Sequence, residues 1–520
     1  MGMVAPQQRI ASAFFVIHGK YGDVTRYAQE RGVCRQSIYN EAAALQFALD
    51  GAREKIDHLR EQLRQALGRQ AELEACLAQS VIIDAEKQGK LACVGQARGV
   101  TLRDCHELLQ VLIPGRALSV AELGRRTLTA GQNAGAALKV LDEMVQQHIR
   151  EAAADEIYVK APVLMVVEPE SLCWVSGRLS DAVSGEAWAR AFGQFPNLEQ
   201  VMRDGGSGLE RGVALANRER QEQGRSRLTD QGDHFHALRH GSVGINKAKA
   251  QAQKALTAAE AAQKQLDECD RQGHSRSGKA TRVSYAWKKA EQAMDTWRQR
   301  EQVWQKTKEA LPLFTPDGVL NTRAQAQAVL AETLPQLPDS DFAKVKRQLQ
   351  RPEMLNYLDR VQDKIAALPF PEAIKQAAVR QEGLRRRPEA LQGETPKAAA
   401  LRGVLLLCGV ILSKAGNEGL QAAAAVKDII RRAYRASSLV ECINSVLRMH
   451  QAGHRRITQG LLDLKRLYWN CHTFRAGRRR HTTPYQRLGI PWPPDLYWWQ
   501  LLKLTPEQLR DKLSTAKTPP

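Results

Sequence analysis

Three acidic residues, far apart in the chain, have a setting suited to hard-cation chemistry: Asp155, Asp204 and Glu441. Asp155 opens a strand candidate, Asp155–Val159 (DEIYV). Asp204 follows another, Leu198–Met202, and precedes the turn Gly205-Gly206-Ser207-Gly208. If those strands are neighbours in a mixed sheet, their carboxylates converge. Glu441 lies in a helical stretch (LVECINSVLR), where Asn444 and Arg448 follow it on the same face. Three converging carboxylates form an oxygen cage that suits Mg2+, or Mn2+ in its place. Two such ions about 3.5–4 Å apart can activate a nucleophile and stabilise the leaving oxygen of a phosphodiester, with no covalent enzyme intermediate.

Other acids compete for these places. Glu156 adjoins Asp155, but period two along a strand sends its side chain to the opposite face. Glu168 closes a second strand candidate and either helps the site or caps a turn. Asp428 and Asp463 are weaker rivals for the third position. His234 and His236 in DHFHALRH stand at i,i+2, which does not place both on one helical face; Phe235 and Leu238 are expected to anchor that helix. Cys471-His472 has no second cysteine cluster with which to hold zinc.

The acids need a sheet, and only one stretch offers it. Strand candidates at Asp155–Val159, Val163–Val167, Leu172–Ser176 and Leu198–Met202 surround one helical segment, Gly185–Phe192. Nearly everything else is helical in pattern. Asp23 to Arg31, a turn at Gly32 and a helix from about Arg35 make a helix-turn-helix pattern. Arg35, Gln36, Tyr39 and Asn40 lie on its outward side and suit phosphates and base edges. From Leu45 to Leu77 ten positions are spaced 4,3,4,3 throughout and nine are apolar, with Gln70 the exception. That is a heptad seam and predicts a coiled coil, hence a homodimer. Residues 100–147 read as three helices: a second DNA-reading module or a structural bundle. GHSRSG joins two long polar helices into a hairpin. Val404–Leu412 (VLLLCGVIL) is too short to span a bilayer and reads as a buried core helix.

Composition narrows the function. The chain has 520 residues, 76 Lys+Arg and 56 Asp+Glu, a formal charge of +20. Such an excess points to a polyanion, with nucleic acid foremost. The basic stretch Arg475, Arg478, Arg479, Arg480 and Arg487, interleaved with Phe474 and Tyr485, would neutralise phosphates. Arg448, Arg455, Arg456, Lys465 and Arg466 extend it. Nine scattered cysteines without a C-x-x-C pair fit a reducing cytoplasm, not a disulfide framework. The first residues do not read as a secretory signal.

Four stretches together resemble a bacterial insertion-sequence transposase of the DDE type. They are DEIYV with VLMVVEPESLCW, then GEAWARAFGQFPNLEQVMRDGGSGL, then DHFHALRH, and finally SSLVECINSVLR with the basic segment ending at Thr483-Pro484. The resemblance implies an α+β chain, mostly helical, with an RNase H-like catalytic domain. Asp155, Asp204 and Glu441 would be its catalytic residues and the ligands of two Mg2+ or Mn2+ ions. The implied map is a helix-turn-helix over 1–43, a coiled coil over 44–80 and a second helical domain over 98–150. The catalytic domain would span 151–240 and 431–490, split by an all-helical insertion over 241–430, with a tail over 491–520. The implied activity is binding of the element's terminal repeats, strand cleavage, and attack of the freed 3′ hydroxyl on target DNA, on the nucleoid. The alternative is a non-catalytic, domesticated DNA-binding regulator.

Overall fold

The computed structural model describes residues 4–79, 81–453, 457–493 and 496–515. The chain is mostly helical with one small mixed sheet, an α+β protein, and divides into two compact units, 1–84 and 85–520.

The first unit has three helices: α1 (Pro6–His18), α2 (Asp23–Arg31) and α3 (Arg35–Gln79). Gly32 ends α2 in the left-handed region (φ 67°), which is why glycine stands there. Arg31 on α2 pairs with Glu41 on α3 at 2.6 Å, and Ser12 on α1 donates to the same carboxylate. That triad and the buried Ala28, Ile38 and Ala42 hold the three helices together. Helix α3 runs unbroken for 45 residues, so the expected boundary at 43/44 falls inside a helix. Beyond Ala42 its apolar residues are exposed, among them Leu49, Ile56, Leu59, Leu63, Leu73 and Leu77.

The second unit begins with α4 (Ala85–Arg98), α5 (Leu102–Leu112) and α6 (Val120–Val145). Sequence reading breaks α6 at Gly131, but the helix continues. Gly131 instead lets another backbone come close: a Cβ there would meet Gly460 O at 2.7 Å. The sheet follows: β1 (Glu151–Val159), β2 (Ala161–Glu168), β3 (Cys173–Leu179), α7 (Gly185–Gly193), β4 (Gln200–Arg203), α8 (Ser207–Glu222) and β5 (Thr229–Gly232). Its order is β3-β2-β1-β4-β5. The first three strands form an antiparallel meander, and β4 and β5 run parallel to β1.

Helices α9 (His234–Arg271) and α10 (Lys279–Glu309) make the expected hairpin. After them come α11 (Arg323–Thr333), α12 (Asp339–Leu349), α13 (Asn356–Ala366), α14 (Glu372–Arg385), α15 (Pro396–Lys414) and α16 (Gly416–Arg431), which share a core of their own. Helix α15 carries the apolar run expected to be buried, and this expectation fails. Cys408 and Leu412 are buried, but Leu406 (72%), Leu407 (59%) and Val410 (49%) are exposed. The helix lies on the rim of that core, so only one side of a uniformly apolar helix is covered. With a mean hydropathy of 1.6 it is the one described helix long and apolar enough to cross a bilayer.

Helices α17 (Val440–Gly453) and α18 (Gln459–Cys471) return to the sheet. One sheet face, with Ala153, Ile157 and Met165, packs on Val440, Ile443 and Leu447 of α17. The other, with Ala152, Ala154 and Val166, packs on α6, α7 and α8. Three short helices end the chain: α19 (Pro484–Arg487), α20 (Trp498–Leu501) and α21 (Pro506–Ser514). The described part of the expected tail is therefore packed on the core. Leu501, Leu509 and Leu513 are buried in the core that holds Val140 and Leu141, and Trp492, Trp498 and Trp499 pack against it.

Candidate active site

Strand β1 starts four residues earlier than expected, so Asp155 sits in its middle. Ala154 is in register with Arg203 on parallel β4, which places Asp155 beside Asp204, the residue just past the end of β4. Asp155 shares its face with Ala153 and Ile157, the face that α17 covers. Asp155 Oδ1 accepts from the Glu156 backbone N–H (2.9 Å), and Oδ2 accepts from Asn444 Nδ2 (2.9 Å). Asp204 Oδ1 accepts from Gly206 N (2.9 Å) in the turn before α8.

Glu156 belongs to the opposite face, as strand period requires, yet it reaches the same corner. A Cβ on Gly206 would lie 3.0 Å from Asp204 Oδ1 and 3.4 Å from Glu156 Oε1. Glu156 Oε2 is buried without a partner. Strand parity sets Glu156 apart from the site, but parity carries no information about the Gly-rich turn after β4, whose Gly206 lies against both Asp204 and Glu156.

Burial, then the charges of Asp204, Glu156 and Glu441, push the Asp155 carboxyl up to about 7; His236 opposes this weakly. Burial and Asp204 likewise push Glu156 up to about 7. The arginine next to Asp204 in the chain is committed elsewhere. Arg203 is 2% exposed and forms a two-pronged pair with Asp230 (2.8 and 2.7 Å). Nδ1 of His236 pairs with Asp233 (3.0 Å), which raises its pKa, and the fields of Asp155 and Asp204 raise it further. Asp233 caps α9 and accepts from Ser437 N (3.0 Å), tying the start of α9 to the segment before α17.

Glu441 shares a face with Asn444 and Arg448, as the spacing predicts. Its carboxylate pairs with Arg448 (2.7 Å) and does not touch Asp155 or Asp204. Among the described residues, no three His, Cys, Asp or Glu side chains stand close enough to share an ion. The surroundings nonetheless suit a divalent cation. The donors are oxygens, a Cβ at Gly206 would crowd the oxygens of Asp204 and Glu156, and Glu156 Oε2 and Asn444 Oδ1 are buried and unpartnered.

The remaining candidates divide sharply. Arg35, Gln36, Tyr39 and Asn40 are exposed on the first turns of α3, with Gln36 donating to Asn40. Arg475 and Arg480 are exposed, with no ion pair among the described residues. Arg478 lies 3.6 Å from Glu170, and Arg479 donates to the carbonyls of Pro169 and Glu170, so both brace the β2–β3 turn. Arg455 and Arg456 lie outside the described residues. Lys465 and Arg466 do not face phosphate. Lys465 is 1% exposed and donates to Gln96 O and Ala97 O, while Arg466 pairs with Asp142 (2.5 Å). Glu168 caps its turn, accepting from Glu170 N and Ser171 N. His234 is buried against Met354 O, and Leu238 packs on the core of the helical block as expected, but Phe235 is 45% exposed with its ring edge-on to His236. All nine cysteines are free thiols.

No family model, curated protein or solved structure matches the chain.

Proposed function

We propose that this chain is a DNA transposase of the DDE type, with an RNase H-like catalytic domain. The observation that carries the reading is the pairing of Asp155 and Asp204 at the ends of adjacent parallel strands, under α17, where burial and neighbouring acids outweigh the weak opposing field of His236. The strand order supports it: an antiparallel meander, then two strands parallel to the first. So does the block of helices between β5 and α17, which corresponds to an all-helical insertion.

On this reading Asp155, Asp204 and Glu441 hold two Mg2+ or Mn2+ ions, with Glu441 exchanging Arg448 for the cation. Bound there, divalent ions supply Lewis-acid activation of the nucleophile and of the scissile phosphodiester. The chain's own residues bind and orient DNA. Arg35, Gln36, Tyr39 and Asn40 read the terminal repeats as part of a helix-turn-helix, and Arg475 and Arg480 neutralise phosphates. The seam from Leu45 to Leu77 takes the same seam of a second copy as a coiled coil, so that two ends are held together. Its length and its exposure in one chain support this partner. Leu59→Asp with Leu63→Asp should give a monomer in sedimentation; a dimer that survives both charges would assign the seam elsewhere.

The deciding experiment incubates the full chain and Mg2+ with DNA carrying the sequences that flank its gene. The wild type should nick at the ends and join the resulting 3′ ends to a target. Asp204→Asn should bind the same DNA and leave it intact. Equal cleavage by Asp204→Asn would show that the site is wrong. Binding by the wild type without cleavage, in Mg2+ or Mn2+, would leave a DNA-binding regulator.

A further inference from the structure

Helix α17 meets the sheet through Val440, Ile443 and Leu447, an apolar stripe. Asn444 lies within that stripe and is 0% exposed. An amide buried among aliphatic side chains is unfavourable unless both its ends are bonded. Here only one end is. Nδ2 donates to Asp155 Oδ2 at 2.9 Å, and Oδ1 has no partner. A leucine at this position would fill the stripe without leaving a bare oxygen. Asp155 in turn has one oxygen held by the Glu156 backbone and the other by Asn444. The carboxylate is thus pinned at both ends before any cation arrives. Glu441, one turn earlier on α17, is occupied by Arg448. The group of α17 that already touches the acid pair is Asn444.

We propose that Asn444 belongs to the cation site, fixing Asp155 through Nδ2 and offering Oδ1 as a neutral oxygen donor to a divalent ion. This rests on the metal-centre reading above. It adds that α17 contributes an amide as well as a carboxylate. A neutral donor suits this corner, where Asp155, Glu156 and Asp204 already crowd together and a fourth charge would add repulsion whenever the ion is absent. Second-sphere partners that orient a metal-binding carboxylate typically change affinity about 10–100-fold when removed.

The test is Mn2+ binding to the full chain, by calorimetry and by the Mn2+ paramagnetic resonance signal, with thermal unfolding in chelator and in Mn2+. Asn444→Ala should bind Mn2+ at least about tenfold more weakly than the wild type. Asn444→Asp keeps the size and exchanges an amide for a carboxylate. It should melt below the wild type in chelator and gain more from Mn2+ than the wild type does. A purely structural asparagine would not produce those opposite shifts. Wild-type Mn2+ affinity in both variants overturns the proposal, as does failure of both to fold with or without Mn2+. A wild type that binds no Mn2+ sinks the metal-centre reading and this proposal with it. A wild type that binds alongside unaffected variants sinks this proposal alone.

Discussion

Strands β1 and β4 carry acids at both ends of their pairing, and the two ends are built in opposite ways. At the start of β1, Glu151 and the neighbouring Glu199 face Arg150, Arg360 and Lys364. Arg360 bridges Glu151 (2.7 Å) and Glu199 (3.0 Å), and Lys364 adds a contact to Glu199 (2.8 Å). Burial alone would raise Glu199, but Lys364, Arg150 and Arg360 overcome it and hold the carboxyl at about 2. A few residues along the same strands, Asp155 and Glu156 rise to about 7, through burial first and then the charge of Asp204, with His236 opposing the rise of Asp155 only weakly. One end is an ion-pair network that docks α13 onto the sheet. The other is a concentration of acids that neighbouring charges make worse. Compensated acids hold a fold together, whereas uncompensated, half-buried acids mark a place where an external cation is expected.

The largest test exchanges one residue at each end. Asp155→Asn should lower Mg2+-dependent strand cleavage by about 10^3-fold or more while the protein stays folded. Arg360→Ala should do the reverse. It leaves the buried Glu151 with Lys364, 3.9 Å away, as its remaining ion-pair partner among the described residues, and should cost about 3 kcal/mol in denaturant unfolding, with cleavage per folded molecule retained. If Arg360→Ala kills cleavage in a well-folded protein, or Asp155→Asn leaves cleavage intact, the two ends are not different in kind.

A smaller effect sharpens the same contrast. Glu156→Gln removes a charge from the crowded corner, where its Oε2 has no partner. Without metal at pH 7 it should raise unfolding free energy by about 1 kcal/mol, the rise of Glu156 to about 7 being discounted for solvent screening at its partly exposed position. Saturating Mg2+ should shrink that gain, because the ion stabilises the wild-type acids by mass action. A loss of stability in chelator would mean that Glu156 is satisfied by something other than a cation.

Much of this was legible in the residues, and the misses have physical causes. The unbroken apolar run Val163–Val167 announces β2, the partner of the strand that carries Asp155, and the Gly-rich turn at 205–208 marks the end of β4 beside Asp204. Strand β5 does not announce itself: Thr229-Asp230-Gln231-Gly232 has no apolar pattern and is a strand because β4 pairs with it. The i, i+3, i+7 face of Glu441, Asn444 and Arg448 is readable from spacing. Which of the three meets Asp155 is not, since it depends on how deeply α17 beds into the sheet. Lys465 and Arg466 read as surface charge because the groups that hold them lie far away in the chain; Asp142 is 324 residues from Arg466. The exposure of α15 escapes for the opposite reason: composition records how apolar a helix is, not how many neighbours the fold provides.

The smallest expected effect is the pH dependence contributed by the compensated end. Glu199 pairs with Arg150 and with Arg360 and Lys364 of α13, and Glu151, Asp428 and Arg432 line the same cleft. Its folded pKa, about 2, lies below the ordinary glutamate value of 4.5. The folded state therefore binds fewer protons than the unfolded state between those values, and stability rises with pH there. The contribution is complete above about pH 4.5 and fades as pH falls towards 2. Glu199 is partly exposed, so salt screens the pairs and the slope should flatten at high ionic strength. Chemical denaturation of wild type and Glu199→Gln between pH 5 and pH 3 isolates it, because the difference between the two should shrink steadily over that range. A difference that stays constant with pH would mean that Glu199 contributes through its amide-like hydrogen bonds and not through its charge, and the network at this end would be polar packing instead of charge compensation.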